Sequence, residues 1–336
     1  MNLATTEFPI LPAAAPEDAA LLGNSAAMQE VLRLIERVGP TDASVLLTGE
    51  SGSGKELAAQ LIHRRSARHA GPFVAINCGA VPVGLIEAEL FGHEKGSFTG
   101  AIRAHAGVFE RAHGGTLLLD EVTEMPLDMQ TRLLRVLETR KFYRVGASVE
   151  LITDVRVIAA TNRCPLKAVE SAQLREDLLY RLAVFPIAMP PLRARGNDVD
   201  LLAEHFLAEL NARAGTQKRL SAVARMMLKQ HSWPGNVREL KNCIERAFIL
   251  GDEVLEPAPL IHAGASPRGG DAADSRERLD IRVGSRIEDM ERSLIEATLD
   301  HFQGNKRRAA DALGCSLKTL YNKLNGYSQN QEFASN

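Results

Sequence analysis

The sequence predicts a parallel α/β domain, then a helical subdomain, then a small all-α domain. Three observations carry this. Between Gly23 and Arg195, short apolar runs alternate with amphipathic stretches, as in a parallel sheet covered by helices on both faces. One run, "SVLLT", leads through a glycine-rich loop straight into a helical pattern, "ELAAQLIHRRS". After "MPPLRAR", which ends at Arg195, no further strand is predicted and only helical patterns follow.

Residues 1–22 are rich in Pro and Ala and are expected to form a flexible tail, too short for a domain. The α/β part spans 23–195. In it "SAAMQEVLRLIERV" reads as an amphipathic helix, and "SVLLTG", "PFVAINC", "GTLLLDE" and "VRVIAATN" read as buried strands. Residues 196–252 read as a helical subdomain broken at Trp233-Pro234-Gly235. A linker is predicted over 253–285, centred on "GASPRGGDAADSRER", which has almost nothing apolar. The last block, 286–327, opens with Ile287, Met290, Leu294, Thr298 and Phe302 on one helical face, and 328–336 is a second tail.

The composition suits a globular chain, with 45% hydrophobic and 24% charged residues and a net charge of −2. This balance excludes a globally basic nucleic-acid coat and leaves room for local basic clusters. Cys78, Cys164, Cys243 and Cys315 form no C-x-x-C pair, and no His pair has zinc-ligand spacing, so the cysteines read as small buried hydrophobes rather than disulfides or metal ligands. The N-terminus has no basic region ahead of an apolar run, and nothing approaches the ~18 apolar residues of a membrane span. These features predict a cytoplasmic protein without a membrane partner.

"GESGSGKE", Gly49 to Glu56, is a G-x-x-x-x-G-K phosphate loop between a strand and a helix. Gly49, Gly52 and Gly54 let backbone amides close on a phosphate, with Glu50, Ser51 and Ser53 between them, and the helix N-terminus adds favourable partial charge. Lys55 can reach the outer phosphates of ATP. Glu56 stands where Ser or Thr usually ligates Mg²⁺, so the metal has to be held differently, through water or through acidic groups elsewhere. Asp120 and Glu121, at the end of the apolar strand "TLLLD", supply them: Asp120 to hold Mg²⁺, Glu121 to polarise the attacking water. Transfer of a phosphoryl group also needs polar and cationic groups around it. Asn162, Arg175, Arg181 and Arg238 follow in order along the chain.

Two further stretches are distinctive. "FGHEKGSFTGA" sets Phe98 and Thr99 between Gly96 and Gly100, which suits an exposed mobile tip better than a core. "GNKRRAADALGCSLKTLYNKLNGY" reads as two short helices capped by Asn305 and Ser316 and joined at Gly314, a helix-turn-helix. Residues 316–324 would be its recognition helix. Lys318, Thr319, Asn322 and Lys323, with Ser316 at its start, are the candidates for DNA contact, and Lys306, Arg307 and Arg308 for phosphate contact.

The motifs "GESGSGKE", "FGHEKGSFTGA", "GGTLLLDE", "LREDLLYRL", "PPLRAR" and "WPGNVRELKN" occur in this order. With them the chain resembles, over about 22–250 and again at its end, the bacterial enhancer-binding proteins, NtrC-like activators of sigma-54 RNA polymerase. The resemblance implies an AAA+ P-loop sheet with a helical lid, ending in a Fis-like DNA-binding domain. It implies that Gly49 to Glu56 are Walker A, Asp120 and Glu121 Walker B, Asn162 sensor I and Arg238 sensor II. It implies that Asn77 restrains Glu121, and that Arg175 and Arg181 are arginine fingers reaching the nucleotide of the next subunit. The active species would be a closed homo-oligomeric ring, a hexamer in the family, with the helix-turn-helix units acting as dimers.

The resemblance assigns the Gly96-Ser97-Phe98-Thr99-Gly100-Ala101 loop to contact with sigma-54, driven by ATP hydrolysis; Ser97 stands where the family has Ala. It implies binding to enhancer DNA upstream of sigma-54 promoters. With only about 22 residues ahead of the ATPase, no receiver domain is expected, and regulation would come from a protein acting in trans or from expression. Two other readings stay open: a DNA-binding regulator with a vestigial ATPase uncoupled from sigma-54, and a remodeller of replication complexes. The complete phosphate site, Glu121 and "GSFTGA" favour the ATP-driven activator.

Overall fold

The computed structural model describes residues 21–98, 100–257, 291, 294–295, 298–299, 302 and 305–324. The expected tails, Thr99, Ile287, Met290 and nearly all of the expected linker lie outside the described residues. The chain divides into two compact units, Met1–Leu260 and Ile261–Asn336.

Beside a separate antiparallel pair, β4 (Lys141–Tyr143) and β5 (Glu150–Ile152), the first unit is built on a five-stranded parallel sheet in the order β2-β3-β6-β1-β7, with β1 Val45–Thr48, β2 Phe73–Asn77, β3 Thr116–Asp120, β6 Arg156–Thr161 and β7 Phe185–Ala188. Side chains alternate between its faces. Leu46, Leu117, Leu119, Val157 and Ala159 point into one core, with Phe91, Phe109 and Leu133. Val45, Leu47, Leu118, Ile158 and Ala160 point into the other, with Met28 and Ile35 of helix α1 (Ala26–Val38) and Ala58 and Ile62 of α2 (Lys55–Arg64). Both faces are therefore dry, which is why the strands read as continuous apolar runs. Strand β7 escaped prediction because Pro186 interrupts "FPIA"; as an edge strand it tolerates the missing amide.

Leu21 packs against the second of these cores and Leu22 against the core of the lid, so the last two residues of the expected tail are anchored. The expectation of helices alone after Arg195 needs correcting. β8 (Arg219–Leu220) pairs in parallel with β9 (Val254–Leu255), tying the connection between the first two lid helices to the lid's C-terminal end. The lid helices α3 (Asp198–Ala214), α4 (Ala222–Gln230) and α5 (Asn236–Leu250) enclose Trp233, which is fully buried and donates Nε1–H to the Leu228 carbonyl at 2.8 Å. The cysteine expectation is half right. Cys78 and Cys243 are buried, but Cys164 is exposed at the start of the helix Pro165–Glu170, and Cys315 is half-buried; all four are free. Among the described residues no helix is long and apolar enough to cross a membrane.

In the second unit, Ile295, Ala309, Ala310 and Leu320 form a small core with Leu299, Phe302, Leu313, Cys315 and Leu324 around it. The predicted face is shifted: Leu294 is exposed and Ile295 takes the buried position. The two short helices appear as Lys306–Ala312 and 317–324, with Gly314 left-handed at φ 66° between them. Asn305 Oδ1 accepts from the Arg308 amide and Ser316 Oγ from the Thr319 amide, the two caps predicted.

Candidate functional site

The ends of the sheet strands converge on the loop after β1. Parallel register sets Thr48 beside Thr161, and Asn77 beside Asp120, at the carboxyl edge. A crevice at this edge is the usual ligand position of an open α/β sheet. Gly49, Gly52 and Gly54 have φ of 151°, 74° and 101°, the last two squarely in the region that favours glycine. Lys55 begins α2 and is almost buried, its Nζ donating to the carbonyls of Gly49 (2.9 Å) and Glu50 (3.3 Å). Burial pulls its ammonium below the ordinary lysine range, against the opposing pull of Glu121 and Asp120. The Ser53 hydroxyl is buried with no hydrogen-bond partner, a polar group facing the loop interior. Glu56 is exposed in the first turn of α2.

Glu121 follows β3 with φ 52°, a left-handed conformation uncommon outside glycine. This turns its carboxylate toward the loop. Oε1 lies 4.0 Å from Lys55 Nζ, and Oε2 accepts from the backbone amide of Asn162 at 3.1 Å. Asn77 does not meet the expectation that it holds Glu121. Its Nδ2 donates to Asp120 Oδ2 at 3.4 Å, while its Oδ1 accepts from the amides of Gly79 and Ala80, both at 3.0 Å. The reason lies in the register: Asn77 stands opposite Asp120, and the left-handed turn swings the next residue away. The Cys78 thiol beneath this corner is pushed up to about 12 by burial, with the nearby Asp120 adding to the shift.

The lid closes the other side. Arg238 donates to Ser51 Oγ at 2.9 Å, and the Val237 amide donates to the Gly52 carbonyl at 3.0 Å. Motif reading assigned no role to Arg193, Arg195 and Asn236, although "PPLRAR" and "WPGNVRELKN" contain them. Arg193 pairs with Glu50 through both guanidinium nitrogens, Arg195 is buried against the Ser53 carbonyl, and Asn236 bonds both Glu50 and Ser51. Only their meeting in space marks them.

Arg175 and Arg181, on the helix Glu176–Leu182 and its cap, bond to other residues than these. Arg175 pairs with Asp177, and Arg181 donates to the Leu137 carbonyl at 2.7 Å. The loop from Gly96 to Ala101 stands on a base formed by His93, which bridges to His105 and Val145. Gly96 and Gly100 are left-handed at φ 83° and 107°, and the Gly96 amide donates to the Ala101 carbonyl at 2.8 Å, closing the tip. Phe98 is 38% exposed, its ring edge-on to His93 with centroids 4.9 Å apart. Ala101 is buried, and Ser97 packs against Gly146.

In the second unit Lys306, Arg307, Arg308, Ser316, Lys318, Thr319 and Asn322 are exposed. Three of the predicted DNA contacts have internal work: Ser316 and Thr319 bond each other's hydroxyls, and Lys323, half-buried, forms an ion pair with Glu291. Tyr321, not among the predicted contacts, is exposed beneath the Lys306 ammonium, 4.6 Å from its ring centre.

Residues 21–188 match the sigma-54 interaction domain, 193–269 the AAA+ ATPase lid domain and 286–327 the bacterial regulatory proteins of the Fis family. The chain is 44% identical over 335 residues to the transcriptional regulatory protein FlbD of Caulobacter vibrioides, covering 95% of this chain and 72% of FlbD. It is 46% identical over 312 residues to the nitrogen fixation protein VnfA of Azotobacter vinelandii, covering 92% of this chain and 59% of VnfA. The crystal structure of Brucella abortus NtrX in complex with ATP is similar at a TM-score of 0.68 and 38% identity, over 91% of this chain and 68% of that one. The matched domains, in the order the folded chain presents them, make this protein a member of the NtrC-like sigma-54-dependent transcriptional activators, an AAA+ ATPase with a Fis-type helix-turn-helix.

Proposed function

We propose that this protein binds and hydrolyses ATP between copies of itself in a ring, moves the Gly96–Ala101 loop against sigma-54, and so opens promoter complexes of sigma-54 RNA polymerase. The observation that carries the reading is the convergence of Lys55, Glu121 and the Asn162 amide on one carboxyl edge of the sheet, under a lid that touches the phosphate loop. The loop amides and Lys55 bind and orient the phosphates. Glu121 orients the attacking water and draws on its proton. Arg238, on the lid, stabilises charge on the transferred group. The donor set at Asp120 fits Mg²⁺: each carboxylate oxygen accepts one hydrogen bond, from Glu121 N or Asn77 Nδ2, and keeps a further lone pair. Mg²⁺ there would neutralise charge on the outer phosphates.

Arg175 and Arg181, by family resemblance, serve the nucleotide of the adjoining copy. A closed ring, a hexamer by family resemblance, supplies that neighbour through a head-to-tail interface. The Fis-type unit anchors the assembly on upstream DNA, with Lys306, Arg307 and Arg308 on phosphate and the exposed face of 317–324 toward bases. The setting is the cytoplasm.

The test is open-complex formation on a sigma-54 promoter carrying this protein's upstream site, with purified sigma-54 holoenzyme. Opening is expected with ATP and not with a non-hydrolysable analogue. ATP turnover without opening would sink the sigma-54 coupling, and DNA binding without turnover would leave a vestigial ATPase.

A further inference from the structure

Successive residues of the phosphate loop, Glu50 to Ser53, are each bonded to the lid or to the turn leading into it. Glu50 accepts two hydrogen bonds from Arg193, at 2.8 and 2.5 Å, and one from Asn236 Nδ2 at 3.1 Å. The Ser51 carbonyl accepts from the same Asn236 nitrogen at 3.0 Å, and the Gly52 carbonyl from the Val237 amide. The Ser53 carbonyl accepts from Arg195. Contact is close enough that a Cβ on Gly52 would lie 2.4 Å from the Gly235 carbonyl oxygen.

Asn236 is the hub. It is fully buried, sits at φ 53°, and its Oδ1 accepts from the Leu192 amide at 2.8 Å. It thus joins the phosphate loop, the turn Leu192–Ala194 and the start of the helix Asn236–Leu250. A left-handed asparagine held by bonds from both ends of its amide is a placed residue, not a casual one.

The Glu50–Arg193 pair differs from the rest of this set. Its side chains are 41% and 48% exposed, so it adds little to folding stability. Its consequence is electrostatic and geometric. Glu50 puts a negative charge on a loop whose task is to hold phosphate, and the planar fork of Arg193 both cancels that charge and fixes the carboxylate toward the lid.

We infer that Arg193 and Glu50 are a positioning pair that couples the lid to the phosphate loop and sets nucleotide affinity. Arg193 acts through Glu50 rather than on the reacting phosphate. This rests on the reading that the loop holds a nucleotide. Loss of Arg193 removes one tie between lid and loop, while the bonds of Asn236, Val237 and Arg195 stay, and it leaves the Glu50 charge uncompensated beside the phosphates, so nucleotide is held less tightly; Glu121 and Lys55 remain in place for the chemistry.

The experiment uses the full chain, wild type and R193A, R193K, E50Q and the double variant E50Q/R193A. A fluorescent ADP analogue gives Kd, and steady-state turnover gives KM and kcat for ATP. R193A is expected to raise the ADP Kd about fivefold, the scale of a partly exposed ion pair, with KM rising more than kcat falls, and E50Q to raise it less, because it removes the negative charge as well as the tie. The double variant is expected to be no worse than R193A, and R193K to regain part of the loss. Additive losses in the double variant, a fall in kcat with affinity unchanged, or wild-type affinity in R193A would each overturn the inference. Failure of the wild type to bind nucleotide would instead sink the proposed function.

Discussion

The backbone amide of Asn162 donates to Oε2 of Glu121 at 3.1 Å, so the strand end at β6 holds the carboxylate that closes β3. The bond comes from the main chain and survives any change of the Asn162 side chain. The carboxylate itself is replaceable only at the expense of the chemistry. Glu121→Gln keeps the size and the acceptor oxygen but loses proton affinity. Its ATP turnover is expected to fall about 10²–10⁴-fold, the range for loss of a general base, with ADP affinity changed far less. Turnover and analogue binding measured on one preparation check this; equal losses in both would point to a structural role.

Gly146 lies against the Gly96–Ala101 loop at φ 80°, and a Cβ there would lie 2.8 Å from Cβ of Ser97. Gly146→Ala should displace the base of the Gly96–Ala101 loop without touching the phosphate site. The expected outcome is ATP turnover near that of the wild type and loss of promoter opening. Retained opening would show that the loop does not depend on this contact.

Trp233 is the single tryptophan of the chain, fully buried in the lid core. Its truncation in Trp233→Ala should cost roughly 3–5 kcal/mol in lid stability, the usual range for a large buried aromatic. Urea unfolding followed by circular dichroism measures the loss. In the wild type, tryptophan fluorescence reports the lid alone, and its transition should shift with saturating nucleotide.

Arg193 and then Asn236, by hydrogen bonding, hold the Glu50 carboxyl down at about 2, against an ordinary 4.5. A folded-state pKa below the unfolded one means that the contribution to stability is complete above about pH 4.5 and is lost as the pH falls toward about 2. The difference in unfolding midpoint between wild type and Glu50→Gln should therefore be constant from neutral pH to about 5 and shrink below it. A difference that persists unchanged at acid pH would mean that the charge plays no part.

Lys306, Arg307 and Arg308 are exposed at the first helix of the DNA-binding unit. Replacing Arg307 and Arg308 by Ala should weaken DNA binding evenly across sequences. It should also reduce the slope of log affinity against log salt by about 1 for each lost phosphate contact. Titrations at several salt concentrations decide between this and base-specific contact.

The linear pattern by itself determined the parallel sheet, the phosphate loop, the acids at the end of β3 and the two capped helices near the C-terminus. Each rests on neighbours in sequence: an apolar run sets a strand, glycines set a loop, a capping side chain sets a helix end. It missed β7, where Pro186 masks an edge strand, and the pairing of β8 with β9, two short segments distant in sequence. Tertiary structure alone decided which carboxylate each asparagine meets. Asn77 reaches Asp120 because parallel register sets them side by side, and Glu121 reaches Asn162 because a left-handed turn redirects it. It also decided that Lys323 pairs with Glu291 instead of facing outward, and that Glu50, Arg193 and Asn236 meet at the lid. Such bonds join residues more than a hundred positions apart in some cases, as between Glu50 and Arg193, and only the packed core brings their backbones within hydrogen-bonding reach.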